Sequence, residues 1–137
     1  MNFDKVPYAE LNSRQKENYN FQKISGILAD YGFVTLRLSD DWGGADFIAK
    51  HINGDDYIKV QLKGRISIDK KYMGKDVWIA FPNNTCWYLV PHDAMVNYLL
   101  GNSTIKDSKS WETYGGYSIG GLIGKRHVEF FGKYKIG

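Results

Sequence analysis

Three polar side chains interrupt two short apolar stretches of the sequence, GADFIA and IKVQLKGR. Asp46 begins the first stretch, where a lone carboxylate must find a cation, a hydrogen-bond network or water. Gln61 and Lys63 lie two residues apart in the second, so a strand would project both side chains from one face. Asp46 and Gln61 could bind a hard divalent cation through oxygen, and Lys63 could stabilise negative charge on a phosphate. The alternative is a polar face that only meets solvent.

The sequence before and around these stretches predicts one helix followed by a meander of strands. Apolar residues recur at intervals of three and four over residues 14–31, which predicts one buried helix face with Ser13 as its N-cap. FVTLRL, residues 33–38, alternates apolar and polar side chains and predicts a strand, which the loop SDDWGG follows. Two further strands fit ADFIAKHI and DYIKVQLKG, joined by a tight turn at Asn53 and Gly54.

The second half of the chain predicts fewer elements. VWIAFP and CWYLVP are typical of two buried strands, and residues 92–100 predict a short helix. ISIDKKYMGKD and GNSTIKDSKS are polar and predict loops, while YGGYSIGGLIGK is too rich in glycine for an assignment.

The order of helix, YGF turn, strand, GADFIA, tight hairpin and IKVQLKGR resembles the PD-(D/E)xK nuclease superfamily, which includes restriction enzymes and Holliday junction resolvases. The resemblance covers residues 14–65 and extends loosely to VWIAFPNNTCWYLVPHD. On that resemblance Asp46 and Lys63 match the aspartate and lysine of the motif, and Gln61 takes the place of the acidic residue, which gives a Q-x-K variant. It implies a single α/β domain over residues 1–137, restriction-endonuclease-like, with a central mixed β-sheet flanked by helices.

The same resemblance implies a metal-dependent endonuclease that uses Mg²⁺ or Mn²⁺ to hydrolyse phosphodiester bonds of DNA. A glutamine offers a carbonyl oxygen without charge, so Gln61 would hold a metal less strongly than a second carboxylate. Resolvase-like members carry a further glutamate on the first helix, about where Phe21 stands here. Glu17, one turn earlier on the same helix stripe, is the candidate for this catalytic role, and a solvated residue of the first helical turn is the alternative.

Residues near the motif could contact nucleic acid. A basic cluster in the sequence could follow a phosphate backbone, although solvated loops carry similar clusters; it comprises Lys59, Arg65, Lys70, Lys71 and Lys75. Trp42, beside two glycines, could stack on a base or pack against the rim of the sheet.

Composition limits the remaining possibilities. The 18 basic and 15 acidic side chains give a net charge of +3, so a nucleic-acid surface would have to be a local patch. The single cysteine, Cys86, excludes an internal disulfide framework and a cysteine-rich zinc site. The polar amino terminus and the absence of a long apolar stretch favour a cytoplasmic protein without membrane contact.

Several functions stay open at this point. A chain of this fold that has lost cleavage could bind nucleic acid or a protein partner, and a plain interaction domain could use the polar face for protein contact. The sequence does not distinguish DNA from RNA or branched from linear substrates. The superfamily resemblance also allows a homodimer, since homodimers are common where both strands of a duplex must be cut.

Overall fold

A computed structural model of the chain describes the backbone of residues 1–137 and every side chain except that of Asp41. The helices are α1 Ser13–Asp30, α2 His92–Asn102 and α3 Val128–Gly132. The strands are β1 Phe33–Trp42, β2 Ala45–His51, β3 Tyr57–Leu62, β4 Ile66–Asp69, β5 Val77–Asn83, β6 Cys86–Pro91, β7 Gly116–Ile119 and β8 Lys135–Ile136. None of the helices in the described chain is long and apolar enough to cross a lipid bilayer.

Six strands form one mixed sheet in the order β1-β2-β3-β5-β6-β8. The neighbours β3 and β5 run parallel, and the other neighbouring pairs run antiparallel. Between β3 and β5 the chain leaves this sheet and forms β4, which pairs with β7 in a separate two-stranded sheet. The predicted helix, meander and central mixed sheet are therefore confirmed.

The central sheet lies between two apolar cores. On one face, Ile24 and Leu28 of α1 pack with Phe47 of β2 and Val60 of β3. The other face is covered by α2, α3 and the small sheet, and its buried residues include Ile68, Ile79, Phe81, Val90, Met95, Leu99 and Phe131. Adjacent residues of β5 contribute to opposite cores, because successive side chains of a strand point to opposite faces.

The first helix begins one residue earlier than predicted, with Asn12 rather than Ser13 as its N-cap. The Asn12 side chain accepts the Gln15 N–H at 2.9 Å, and the Gln15 side chain accepts the Asn12 N–H at 2.9 Å. This reciprocal capping box satisfies two backbone donors that would otherwise lack helical partners. It fixes the first turns of α1, which carry Glu17.

The prediction of a loop over ISIDKKYMGKD is wrong for the first part of this segment. Residues 66–69 form β4, in which Ile66 and Ile68 are buried and alternate with more exposed polar residues. β4 pairs with the glycine-rich residues 116–119, and Ile66 lies opposite Ile119. Pairing with a partner some 50 residues away cannot be inferred from local composition.

The first strand is longer than predicted and continues through part of the expected SDDWGG loop to Trp42. Its register against β2 is irregular between Arg37 and Trp42. The side chain of Asp41 lies outside the described residues. Thr35 and Arg37 bond to α1, whereas Val34 and Leu36 are 61% and 57% exposed. The polar residues of β1 therefore face the helix.

The packing of β4 predicts that an isoleucine-to-alanine substitution changes the free energy of unfolding by very different amounts at a buried and at an exposed position. Ile68→Ala removes a side chain that is 2% exposed and should lower the free energy of unfolding by about 2–4 kcal/mol. Ile52→Ala, at a site 78% exposed, should change it by less than about 0.5 kcal/mol. Urea unfolding followed by circular dichroism measures both, and equal effects would contradict the buried placement of β4.

Candidate active site

The candidate site lies where the regular pairing of β2 with β3 ends. The antiparallel register runs from Lys50–Tyr57 to Phe47–Val60. Beyond that pair, two side-chain hydrogen bonds join the same two segments. The Leu62 N–H donates to Asp46 Oδ2 at 2.7 Å, and Gln61 Nε2 donates to the Gly44 carbonyl at 3.0 Å. Asp46 and Gln61 thus provide partners for backbone groups at the end of the pairing.

Asp46 lies in a mixed electrostatic environment. Its side chain retains contact with solvent, yet the surrounding protein displaces enough water that desolvation raises the pKa of its carboxyl group above the ordinary value. The Leu62 N–H and the charges of Lys63 and Arg37 oppose this rise in pKa, whereas the charge of Glu17 adds to it. Desolvation therefore outweighs these favourable interactions, and the carboxyl group of Asp46 is protonated more readily than a fully solvated one.

Gln61 is buried, with 5% of its surface exposed. Its amide nitrogen is used by the bond to Gly44, so only its Oε1 atom can act as a ligand for a cation. Gly44 has φ +87°, and a Cβ there would lie 2.5 Å from the Tyr72 ring. Glycine is therefore required at the residue that positions Gln61.

Lys63 directly follows the last residue of β3. Its N–H donates to the Ala80 carbonyl of β5 at 2.9 Å, so the backbone is still held by the sheet. Its side chain opens into a surface groove, here called the central groove, which is lined by Tyr8, Ser13, Lys16, Glu17, Asn20, Leu62, Lys63 and Gly64. The charge of Lys63 therefore interacts with the Asp46 carboxylate, and its side chain lines the same groove as Glu17. Gln61, in contrast, is buried.

Glu17 is brought to the site by the first helix. Its carboxylate forms an ion pair with Arg37 at 2.8 Å, and Asn18 accepts a second bond from the same guanidinium at 2.7 Å. The guanidinium also lies 4.9 Å from the centroid of the Phe21 ring. Arg37 is not among the residues predicted from the sequence. The signal that could have found it is its alternation with Thr35, because both side chains point toward α1.

Lys59 of β3 and Trp42 of β1 lie next to each other, near the candidate site. The Lys59 ammonium donates to the Lys75 carbonyl at 2.6 Å and lies 5.5 Å from the Trp42 ring centroid. Trp42 is the last residue of β1 and is 49% exposed, so its ring has both a cation neighbour and access to solvent. Lys59 fastens the segment before β5 to β3.

The other three basic residues of the predicted cluster occupy different surroundings. Lys70 lies 5.0 Å from the Trp111 ring centroid, and Lys71 lies 5.0 Å from that of Tyr72. Arg65 lines a cavity together with Lys63. The structure therefore brings Arg65 to the candidate site and directs Lys70 and Lys71 toward aromatic rings.

The available oxygen donors limit the kind of metal site. Among the described side chains, no group of three or more His, Cys, Asp or Glu residues is placed to hold a metal. The candidate donors are Asp46 and the Oε1 atom of Gln61, joined by solvent or substrate. Mg²⁺ commonly uses one or two carboxylates and completes its shell with water and phosphate oxygens. Asp46 and Gln61 therefore offer one carboxylate and one amide oxygen, which would hold such a cation only together with water or a phosphate.

Solved structures of similar fold include two nucleases. The bacterial homing endonuclease I-Ssp6803I aligns with a TM-score of 0.53 at 14% identity, over 90% of this chain and 86% of that chain. Hjc, a Holliday junction resolvase from Archaeoglobus fulgidus, aligns with a TM-score of 0.45 at 14% identity, over 57% of this chain and 74% of that chain. No protein-family model matches the chain, and no curated protein sequence matches it significantly. The likeness to the homing endonuclease confirms the predicted restriction-endonuclease-like fold.

The raised pKa of Asp46 predicts a gain in stability when its charge is removed. In Asp46→Asn the amide oxygen can still accept the Leu62 N–H, and the cost of desolvating a carboxylate disappears. Because Asp46 is exposed and solvent screens its charge, the melting temperature without metal should rise only slightly at neutral pH, by less than about 2 °C. Asp40→Asn, at an exposed acidic site, is the matched control.

The pH dependence of this gain has a definite sign. A carboxyl pKa that is higher in the folded than in the unfolded protein lowers stability as the pH rises through the folded pKa. The difference between Asp46→Asn and wild type should therefore be near zero in strong acid and reach its full size above that pKa. Melting curves from pH 3 to 8 measure it, and a gain largest in acid would contradict the assignment.

Proposed function

We propose that the chain is a metal-dependent endonuclease that hydrolyses phosphodiester bonds of DNA. The observation that carries the proposal is the hydrogen bond from the Leu62 N–H, which places the Asp46 carboxylate beside the residue that precedes Lys63, while Lys63 itself lines the central groove. A carboxylate near a lysine suits a site that receives both a cation and a phosphate. The fold shared with a homing endonuclease supports this reading.

Each residue has a distinct part in the proposed reaction. Asp46 and the Oε1 atom of Gln61 would hold Mg²⁺ or Mn²⁺, which when bound polarises the phosphate and lowers the pKa of a water molecule. Lys63 places its ammonium beside the phosphate and stabilises the negative charge that develops on the oxygens. The bond from Leu62 N–H keeps the Asp46 carboxylate oriented before the metal arrives.

Glu17 is proposed to orient the attacking water from the opposite wall of the central groove. The Arg37 guanidinium holds the Glu17 carboxylate in place at 2.8 Å, and Arg37 is itself fixed by Asn18. Arg37 is therefore a positioning residue that acts through Glu17. Each copy carries one such site, so cutting both strands of a duplex would require two copies or two binding events.

A second candidate function is supported by the environment of Gln61. The glutamine is neutral and buried, and its amide bonds to the Gly44 carbonyl, which is a structural role that needs no metal. A chain with this arrangement could bind nucleic acid, or a protein partner, without cleaving a bond. Binding without turnover would favour this function over the endonuclease.

Plasmid cleavage tests the endonuclease directly. Purified protein should nick supercoiled DNA with Mg²⁺ or Mn²⁺, and Asp46→Ala and Lys63→Ala should each lower the rate by about 10²–10³-fold or more. A branched DNA junction and a single-stranded RNA of equal length serve as alternative substrates. Lys133→Ala, at an exposed site beside β8, is the control and should retain the wild-type rate.

Two results would reject the endonuclease. Absence of cleavage with either metal, together with a gel shift of the same DNA, would establish the binding function instead. Cleavage that survives both Asp46→Ala and Lys63→Ala would place the reaction elsewhere or assign it to a contaminant.

Replacing Gln61 by glutamate separates metal binding from folding. Gln61→Glu places a second carboxylate near Asp46 in a buried position and removes the bond to Gly44, so the metal-free protein should melt roughly 5 °C or more below wild type. Added Mg²⁺ or Mn²⁺ should restore more melting temperature to this variant than to wild type, because the cation binds two carboxylates. Gln61→Leu, which also loses the Gly44 bond, is the control and should gain nothing from metal.

A further inference from the structure

The Lys63 side chain belongs to a second cavity besides the central groove. This cavity, here called the cationic pocket, is lined by Lys16, Lys63, Gly64, Arg65, Ser67 and Ser118. Lys16 and Lys63 line both cavities, so the pocket adjoins the groove at these two lysines. A ligand in the pocket and a phosphate at Asp46 would therefore be neighbours.

The lining of the pocket is positive, although the charge of Lys63 also interacts with the Asp46 carboxylate. Three of its lining side chains are cationic, and none is acidic. No carboxylate lies within ion-pair distance of Lys16, Lys63 or Arg65 among the side chains that the structure describes. Lys16 lies 5.3 Å from the Tyr8 ring centroid, which holds its stem in place without neutralising its charge. This excess of positive charge in the lining of one pocket favours an anionic ligand.

The small sheet adds two hydroxyl groups to this pocket. Ser67 of β4 and Ser118 of β7 lie directly opposite each other in the antiparallel register. Ser118 Oγ donates to Ser67 Oγ at 3.1 Å, which leaves the Ser67 hydroxyl proton available to a ligand. Gly120 also lies beside Arg65, since a Cβ at this glycine would lie 3.6 Å from Nη1 of the guanidinium.

We propose that the cationic pocket binds the phosphodiester next to the one attacked at Asp46, through Lys16, Arg65 and the Ser67–Ser118 hydroxyl pair. This inference rests on the proposed function, because it assumes that a nucleic-acid strand occupies the central groove. A guanidinium presents parallel N–H donors to two phosphate oxygens, and the serine hydroxyl supplies a third donor. Lys63 then lies between two successive phosphates and contributes to both.

This assignment gives the small sheet a function. β4 begins three residues after Lys63, and β7 comes from the glycine-rich segment near the carboxyl end of the chain. Pairing of β4 with β7 is what places Ser118 beside Arg65. The pocket thus holds the nucleic-acid strand in register with the candidate site through its phosphate backbone, and such contacts carry no base-sequence information.

The test measures binding without catalysis. A fluorescein-labelled 20-base-pair duplex is titrated with protein in EDTA, and anisotropy gives the dissociation constant from 50 to 300 mM salt. Arg65→Ala and Lys16→Ala should each weaken binding about 5–20-fold at low salt. Each should also reduce the slope of log affinity against log salt by about 1, because one phosphate contact is lost.

Three further variants distinguish the pocket from a diffuse positive surface. Arg65→Lys should keep the salt slope and recover only part of the affinity, since an ammonium lacks the paired donors. Ser67→Ala with Ser118→Ala should weaken binding about 3-fold without changing the slope, because neutral contacts release no counter-ions. Lys133→Ala controls for the loss of one positive charge, and melting curves confirm that each variant is folded.

Failure of the pocket and failure of the proposed function give different results. If Arg65→Ala and Lys16→Ala match Lys133→Ala in affinity and slope while wild type still cleaves plasmid, the pocket is overturned and the endonuclease stands. If wild type neither binds the duplex at 50 mM salt nor cleaves plasmid, both are overturned.

Discussion

Two reciprocal hydrogen bonds close the end of the β2–β3 pairing, and the candidate site is built from the side chains that make them. Asp46 accepts from the Leu62 backbone, and Gln61 donates to the Gly44 backbone. Buried or partly buried backbone groups must find partners where regular pairing stops. Here the partners are side chains, so the local fold and the proposed chemistry use the same atoms. A substitution at Asp46 or Gln61 consequently changes both.

The charges around this point are arranged in opposing pairs with an excess of cations toward the small sheet. Glu17 is paired with Arg37, and Asp46 is opposed mainly by a backbone N–H and by Lys63. Because Gln61 is neutral, its buried position adds no third negative charge to those of Glu17 and Asp46. A neutral amide would also bind a divalent cation less strongly than a carboxylate at this position. Folding without ligand and tight metal binding therefore make opposite demands on residue 61.

Much of the fold follows from local patterns, because α1, the hairpin at Asn53–Gly54 and the β5–β6 pair each depend on contacts between nearby residues. The pairing of Ile66 with Ile119 does not, since β4 looks polar until its distant partner is known. Strand parity predicts that Gln61 and Lys63 share one face, but β3 ends at Leu62 and the two side chains meet different surroundings. Arg37 and Lys16 join the site only through the packing of α1 against the sheet.

The excursion between β3 and β5 is anchored at both ends by adjacent parallel strands. Lys59 lies opposite Val77 in the register, the Lys63 N–H bonds to Ala80, and Lys59 also holds the Lys75 carbonyl. These anchors belong to the central sheet, whereas the excursion between them adds the buried Ile66 and Ile68 to the core and places the Tyr72 ring against Gly44. A change in the length of this excursion is therefore best accommodated in its exposed residues 73–76, away from the contacts that support the candidate site.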